Sequence, residues 1–259
     1  MVPAGIKVTE STDITMEGNI VAGSDGACFQ TQFENCDDSE VCSELNSPTS
    51  TVGKNTGHSC LRGAHYLGSP ETATCIKIAN YKLYKNYDFC LFMHAGASII
   101  AQDVLCVDNY NGIFGWTFGS NPVMHDIDNK KATYKNVIID NWSTHMTCED
   151  LSIRDNAEIG RVTPKSRAIR TPSGGGFGVI IPDNTQKKHK WPGKPIYFAE
   201  TYSSLHGGSC LIGIQFMNYD NKCGRDFYAI GANNIWPDHH HMVIFLTKQI
   251  DCLFSSHSG

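Results

Sequence analysis

A short phrase returns along this chain and limits what it can fold into. Asn86-Tyr87-Asp88 lies within LYKNYDFCLF, and Asn109-Tyr110-Asn111 lies within CVDNYNGIFG, 23 positions later. The same shift pairs Ile76 with Ile99, Leu83 with Cys106, Tyr84 with Val107, Cys90 with Ile113 and Leu91 with Phe114. A third copy follows after an insertion as Ile138-Ile139-Asp140-Asn141-Trp142-Ser143. A fixed period of this size means one structural unit stacked on the next.

The units are brief strand-like runs bounded by Asn, Asp or Gly, around Ala73–Leu83, Leu91–Phe92, Ile99–Val107, Ile113–Phe118 and Thr133–Ile139. No stretch carries apolar residues at helical spacing over ten positions. A coil of about 22–25 residues with two or three short strands is the unit of a parallel β-helix. Stacking puts equivalent positions directly above one another, so apolar positions form interior ladders. An Asn at a fixed corner can then bond to the Asn of the next coil, which offsets the cost of burying its amide. This predicts an Asn ladder at Asn86, Asn109 and Asn141. The expected architecture is all-β, a right-handed parallel β-helix (pectin-lyase-like solenoid). It forms one domain over 1–259, with loop-rich insertions at 30–58 and 154–204. The second insertion holds five prolines and its own short strand, GFGVII at 176–181.

Composition narrows the function classes. Charged residues make up only 18%, Gly numbers 24, and apolar residues reach 41%. That suits β structure with many turns and argues against disorder and helical bundles. A net charge of −5 offers no basic face for nucleic acid. The one dense basic run, Lys187-Lys188-His189-Lys190, reads as a solvated loop. No run of about 18 apolar residues could insert in a membrane.

Eleven cysteines are many for a cytosolic enzyme, and none form a CxxC pair, so zinc ribbons and redox dithiols lack their signature. Cys36 and Cys42 flank an acidic loop and are placed to close it as a disulfide. Cys90 and Cys106 stand where other repeats carry apolar residues and read as buried thiols. The start, MVPAGIKVTEST, lacks a leader peptide's charged and apolar regions, and the ends look uncapped. The chain therefore reads as a piece of a longer exported protein. One glycosylation sequon, Asn141-Trp142-Ser143, lies in a repeat phrase where a buried or turn role for Asn is at least as well supported.

No residue stands out as catalytic, cofactor-binding or metal-ligating, and no cofactor is called for. His239-His240-His241 would alternate faces on a strand and suits a surface or strand-edge role. His58, His65, His94 and His206 are scattered and read as structural. Glycosidases need a carboxylate pair. Asp88, Asp108 and Asp140 recur near turns and would align on one face of a helix, but recurrence favours turn roles, since an active site is normally made once. Glu149-Asp150 and Asp155 have no better support. Gly174-Gly175-Gly176 lacks the ending of a phosphate loop. Ser203, Ser204 and Ser209 lack the nucleophile elbow. Tyr81, Tyr84, Tyr87 and Tyr110 would stack on sugar rings if exposed, though core or turn packing is the commoner use.

Four stretches carry a family resemblance. They are Asn19–Phe29; Asn55-Thr56-Gly57-His58-Ser59 with Arg62-Gly63; the phrases around Asn86 and Asn109; and Phe216-Met217-Asn218-Tyr219 with Cys223-Gly224-Arg225-Asp226 and Trp236-Pro237-Asp238-His239-His240. In this order, over roughly residues 14–252, the chain resembles the fibrocystin and fibrocystin-like (polycystic kidney and hepatic disease protein) family. The resemblance implies a right-handed parallel β-helix in an extracellular setting, within a large exported protein usually anchored by one membrane span. Related cell-surface hyaluronidases have a similar helix, so carbohydrate contact is a family-level expectation. The resemblance brings no catalytic motif. The expected function is a non-enzymatic, receptor-like extracellular module presenting a face to a glycan or protein partner beside neighbouring domains. The alternatives are a carbohydrate-active enzyme (polysaccharide hydrolase or lyase) and a structural spacer.

Overall fold

A computed structural model describes residues 4–8, 16–30, 34–43, 54–68, 75–95, 97–117, 131–156, 171, 173–182, 209–233 and 243–245. In chain order the strands are β1 (Ala4–Lys7), β2 (Ile20–Ala22), β3 (Ala27–Gln30), β4 (Glu34–Asn35), β5 (Asn55–His58), β6 (Arg62–Gly68), β7 (Cys75–Tyr84), β8 (Phe89–Ala95) and β9 (Ser98–Val107). They continue as β10 (Asn111–Thr117), β11 (Ala132–Lys135), β12 (Ile138–Asp140), β13 (Phe177–Pro182), β14 (Ser209–Ile212), β15 (Gln215–Met217), β16 (Tyr228–Asn233) and β17 (Val243–Phe245). One helix, α1 (Cys148–Asn156), stands between β12 and β13.

The strands form two sheets, and nearly all pairing is parallel. The first runs β1-β3-β6-β8-β10-β13-β16, closed off by the antiparallel β17. The second runs β14-β11-β9-β7-β5-β2, with β12 and β15 continuing beside β9. The chain passes back and forth between the sheets, so the parallel partners come from neighbouring repeats, as the recurring phrase requires.

Left-handed residues divide the second sheet lengthwise. Asn80, Asp103, Asn136 and Gly213 all have φ between 50° and 65°. The registers place all four at one level. A single left-handed residue between extended ones turns the strand, and Asn, Asp and Gly adopt it most cheaply. The sheet thus makes two strips. The second strip holds residues 75–79, 98–102, 132–135 and 209–212. The third holds 20–22, 55–58, 81–84, 104–107, 138–140 and 215–217. The first sheet is the first strip, and the chain visits the strips in that fixed order. A further left-handed set, Gly23, Ser59, Lys85, Asp108 and Asn218, ends the third strip.

Inward positions of the three strips supply the core, including Ile76, Leu83, Leu91, Ile99, Cys106, Ile113, Ile139 and Val179. Burying an aliphatic side chain of this size contributes about 1.5–3 kcal/mol. Gly57 lies inward beside Leu83, and a Cβ there would meet the Cys28 Cβ at 2.9 Å. Outside the first strip a separate cluster joins Phe89, Phe114, Phe177 and Ile180, with Phe92 and Tyr228 against it.

Several expectations need correction. The 23-residue shift holds from Cys75–Ser98 to Tyr84–Val107, then slips to 22. Leu91 therefore faces Ile113, and Phe92 faces Phe114. A one-residue slip exchanges the faces of a strand, and this one keeps Leu91 and Ile113 both in the core. The Asn ladder holds between Asn86 and Asn109, whose Oδ1 accepts from the Asn86 Nδ2 (2.8 Å) and backbone N–H (3.1 Å). Asn141 does not join it, because the register sets Asp140 beside Val107 and so Asn141 beside Asp108. A second rung occurs elsewhere, from Asn19 Nδ2 to Asn55 Oδ1 at 3.1 Å. Part of the excursion expected over 30–58 is ordered structure, since β4 and β5 fall within it.

The cysteine reading changes most. Ten cysteines form five disulfides: Cys28–Cys60, Cys36–Cys75, Cys42–Cys210, Cys90–Cys106 and Cys148–Cys223. Cys36 and Cys42 are not bonded to each other, because each fastens the acidic segment to a different strand. Cys90 and Cys106 are buried as expected but form a disulfide, with both side chains directed into the core. Cys252 lies outside the described residues. Among the described residues no helix is long and apolar enough to cross a membrane.

Candidate functional site

The second and third strips lie side by side on the same strands, and their outward rows differ. On the second strip, Lys77, Ile100, Thr133 and Cys210 share one row. The segment 34–43 crosses it. β4 pairs antiparallel with β7, Cys36 is bonded to Cys75, and Lys77 Nζ reaches Glu40 Oε2 at 3.5 Å. At the far end the Cys42 N–H donates to Thr133 Oγ1 at 2.9 Å, and Cys42 is bonded to Cys210 on β14. Ile100 and Thr133, in the middle, are 2% and 0% exposed. Within this segment the Ser39 N–H bonds the exposed Asp37 carboxylate and holds its pKa below the ordinary value.

Among the described residues, no segment is strapped across the third strip. One outward row reads Ile20, Thr56, Lys82, Leu105, Ile138, Gln215, and the next reads Ala22, His58, Tyr84, Val107, Asp140, Met217. Every one of these side chains is half-buried or exposed, with Ile20 75% exposed. The His58 and Tyr84 rings stack at 4.6 Å, 14° from parallel, and Lys82 Nζ stands 5.8 Å from the Tyr84 ring centroid. His58 Nδ1 also meets Ser59 Oγ at 3.1 Å. Apolar, aromatic and charged groups therefore form one flat surface across six strands, which is the candidate site.

The recurring carboxylates do not converge. Asp88 is fully buried, with its Oδ2 3.0 Å from Arg62 Nε, while that guanidinium lies 4.0 Å over the Phe92 ring. Asp108 accepts from the Ser143 N–H (2.7 Å) and Oγ (2.6 Å) and so shapes the turn. Asp140 accepts from Asn218 Nδ2 at 2.8 Å. The registers give these residues three different levels, so the alignment expected from their recurrence is not formed. Glu149 and Asp150 open helix α1. There Thr147 Oγ1 accepts the Asp150 N–H at 3.1 Å and the Asp150 carboxylate accepts the Thr147 N–H at 2.8 Å.

The other candidates scatter. His65 is buried, edge-on to Phe92. Tyr81 and Tyr110 are core residues, and the Tyr110 hydroxyl donates to the Gly174 carbonyl. Tyr87 is half-buried. Gly174-Gly175-Gly176 forms a turn in which the Gly175 N–H donates to Thr171 Oγ1 at 2.7 Å. Ser209 begins β14. The side chains of His94 and Asp155, and all of Lys187–Lys190, Ser203, Ser204, His206 and His239–His241, lie outside the described residues. Among the described residues no three His, Cys, Asp or Glu side chains gather as a metal would require.

Burial dominates the perturbed phenols. It pushes Tyr66 up to about 12 and raises Tyr134 further. Tyr219 is raised well above the ordinary value by burial and by the nearby Asp140 carboxylate.

Sequence reasoning named Tyr84 but missed Lys82, Leu105, Val107 and Ile138 as its neighbours. The available signal was the shift itself, which sets Tyr84 beside Val107 and Lys82 beside Leu105.

The sequence has counterparts elsewhere. The chain is 27% identical over 223 residues to "Fibrocystin" of Canis lupus familiaris, covering 86% of this chain and 5% of that protein. It is 25% identical over 231 residues to "Fibrocystin-L" of Homo sapiens, covering 89% of this chain and 5% of that protein. The chain is thus similar to segments of the fibrocystin and fibrocystin-L proteins. "Fibrocystin" of Mus musculus agrees at 26% identity over 220 residues. The chain spans about a twentieth of the length of the curated relatives it matches. No family model matches it. No solved structure matches it.

Proposed function

We propose that this chain is a non-enzymatic extracellular module of a longer, receptor-like cell-surface protein. Its three strips wind as a right-handed parallel β-helix over one domain, residues 1–259, with insertions at 30–58 and 154–204. The third strip is the face it presents to a partner, and a glycan is the partner its chemistry suits best. The observation that carries the reading is the outward face formed by two adjoining rows, Lys82 and Leu105 in one and His58, Tyr84 and Val107 in the next, beside a strip of the same strands that is strapped shut. Aromatic faces with adjoining hydrogen-bonding groups suit the mixed apolar and polar surface of a sugar. Five disulfides suit an oxidising, extracellular compartment. The engagement of Asp88, Asp108 and Asp140 in turns and an ion pair supports a binding role over hydrolysis.

The test is to incubate the purified chain with a panel of polysaccharides, including hyaluronan and pectins, and to measure both binding and new reducing ends or unsaturated products. Binding without cleavage is expected. Cleavage would overturn the non-enzymatic reading, and binding confined to extracellular proteins would replace the glycan as partner.

A further inference from the structure

Helix α1 has nine residues, and an isolated helix of that length is unstable in water. Among its described side chains Leu151 is the buried one, in a small cluster with Tyr110 and Phe227 that Trp142 and Tyr219 flank. Glu149 and Ser152 are exposed, and Ile153 is 58% exposed. Cys148–Cys223 adds a covalent tether, joining the first residue of α1 to a turn 75 residues on.

This disulfide differs from the other four. Both of its cysteines are exposed, whereas each of the others has members that are buried or half-buried. Exchange requires in-line approach of a thiolate to one sulfur, so access selects the bond that reacts. Cys223 has φ 54°, a left-handed conformation that costs a non-glycine residue energy and that Cys42 shares (φ 56°), and Gly224 beside it has φ 71°. Cys148 opens the helix, where unpaired amides favour a thiolate leaving group. The carboxylates of Glu149 and Asp150 in the same turn oppose that effect.

We propose that Cys148–Cys223 is a thiol–disulfide exchange site whose substrate is a dithiol reductant of the thioredoxin class, and that its reduction releases α1 and uncovers Leu151, Trp142 and Phe227. The reductant's thiolate attacks the Cys223 Sγ. The sulfur–sulfur bond breaks, and Cys148 leaves as a thiolate that takes up a proton. The reductant's second thiol then displaces the Cys223 sulfur from the mixed disulfide. Cys148 and Cys223 end as two thiols, and the reductant is oxidised to its disulfide by two electrons. The inference stands apart from the open-face reading and fails or holds separately from it.

The test uses the full chain with free thiols blocked beforehand. Graded dithiothreitol is applied without denaturant, new thiols are alkylated, and the sites are mapped by peptide mass. Cys148 and Cys223 are expected to label first, roughly tenfold or more ahead of the other four pairs. Labelling of another pair first, or of all together, overturns the site. Hydrogen exchange over residues 148–156 is then followed in the Cys148→Ser/Cys223→Ser variant, which keeps four disulfides. Exchange at least about tenfold faster than in the oxidised chain is expected there, with the strips unchanged. Unchanged protection of α1 overturns the release.

Discussion

The second and third strips share β7 and β9 and diverge after one left-handed residue. On one side of Asp103, Ile100 lies outward and is 2% exposed beneath the segment 34–43. On the other side, Leu105 lies outward and is half-buried, with no described segment strapped over it. Strand propensity and inward packing are the same on both sides. The difference comes from two disulfides, Cys36–Cys75 and Cys42–Cys210, that draw a polar, acidic segment across one strip alone. Burial of the second strip's outward row therefore follows from the cross-links, because the strands themselves would leave both strips equally open.

The largest expected effect removes the strap. The Cys42→Ser/Cys210→Ser variant loses a cross-link spanning 168 residues. In the chain-entropy account this costs about 4–5 kcal/mol, read as a lower denaturant midpoint. A loss below about 1 kcal/mol would mean that the strap does not hold the second strip.

Next comes a matched pair on β9. Ile100→Ala should cost about 2–4 kcal/mol, while Leu105→Ala should cost about 1 kcal/mol or less. Equal losses in denaturant unfolding would erase the distinction between the strips.

The core phenols behind both strips set an alkaline limit. An unfolded Tyr ionises near 10.0, and folded Tyr66 holds its proton to about 12. Across that window the unfolded chain has released a proton that the folded chain retains, so stability falls as pH rises. Ionisation of Tyr66, followed by its own ring NMR resonances, should therefore accompany the loss of β-sheet circular dichroism. Tyr66 titrating near 10.0 ahead of unfolding would show that the core admits water.

The smallest effect lies at the end of the third strip. Lys85 has φ 51°, which glycine adopts without strain. Lys85→Gly should stabilise the chain by about 1 kcal/mol or less. A loss of stability would mean that the Lys85 side chain contributes contacts worth more than the backbone strain.

Much of this architecture was legible in the sequence, for a physical reason. Stacked repeats place equal residues at equal levels, so the shift of 23 between Tyr84 and Val107 is a register written in the chain. Asn86 and Asn109 were readable because each bond needs the other. The slip to 22 was not, because Cys90 follows the corner and joins the core beside Leu91, breaking the alternation. The disulfide pairings were hidden because Cys36 and Cys42, six positions apart, are carried to different strands. Helix α1 escaped notice because only Leu151 is anchored in the core, leaving no helical periodicity. Its start signal, Thr147 with Asp150 three positions on, was present in the sequence. The carboxylates misled in the opposite sense, since Asp88, Asp108 and Asp140 recur as letters but occupy different levels.

The most direct measurement of the central claim is binding to the polysaccharide panel by two variants, each compared with the unaltered chain. One carries Tyr84→Ala/Leu105→Gln on the open strip, and the control carries Lys77→Ala on the strapped strip. The account predicts that affinity falls at least about tenfold in the first, is unchanged in the second, and that neither preparation generates new reducing ends. Equal binding by both variants, or sugar cleavage by either, would contradict it.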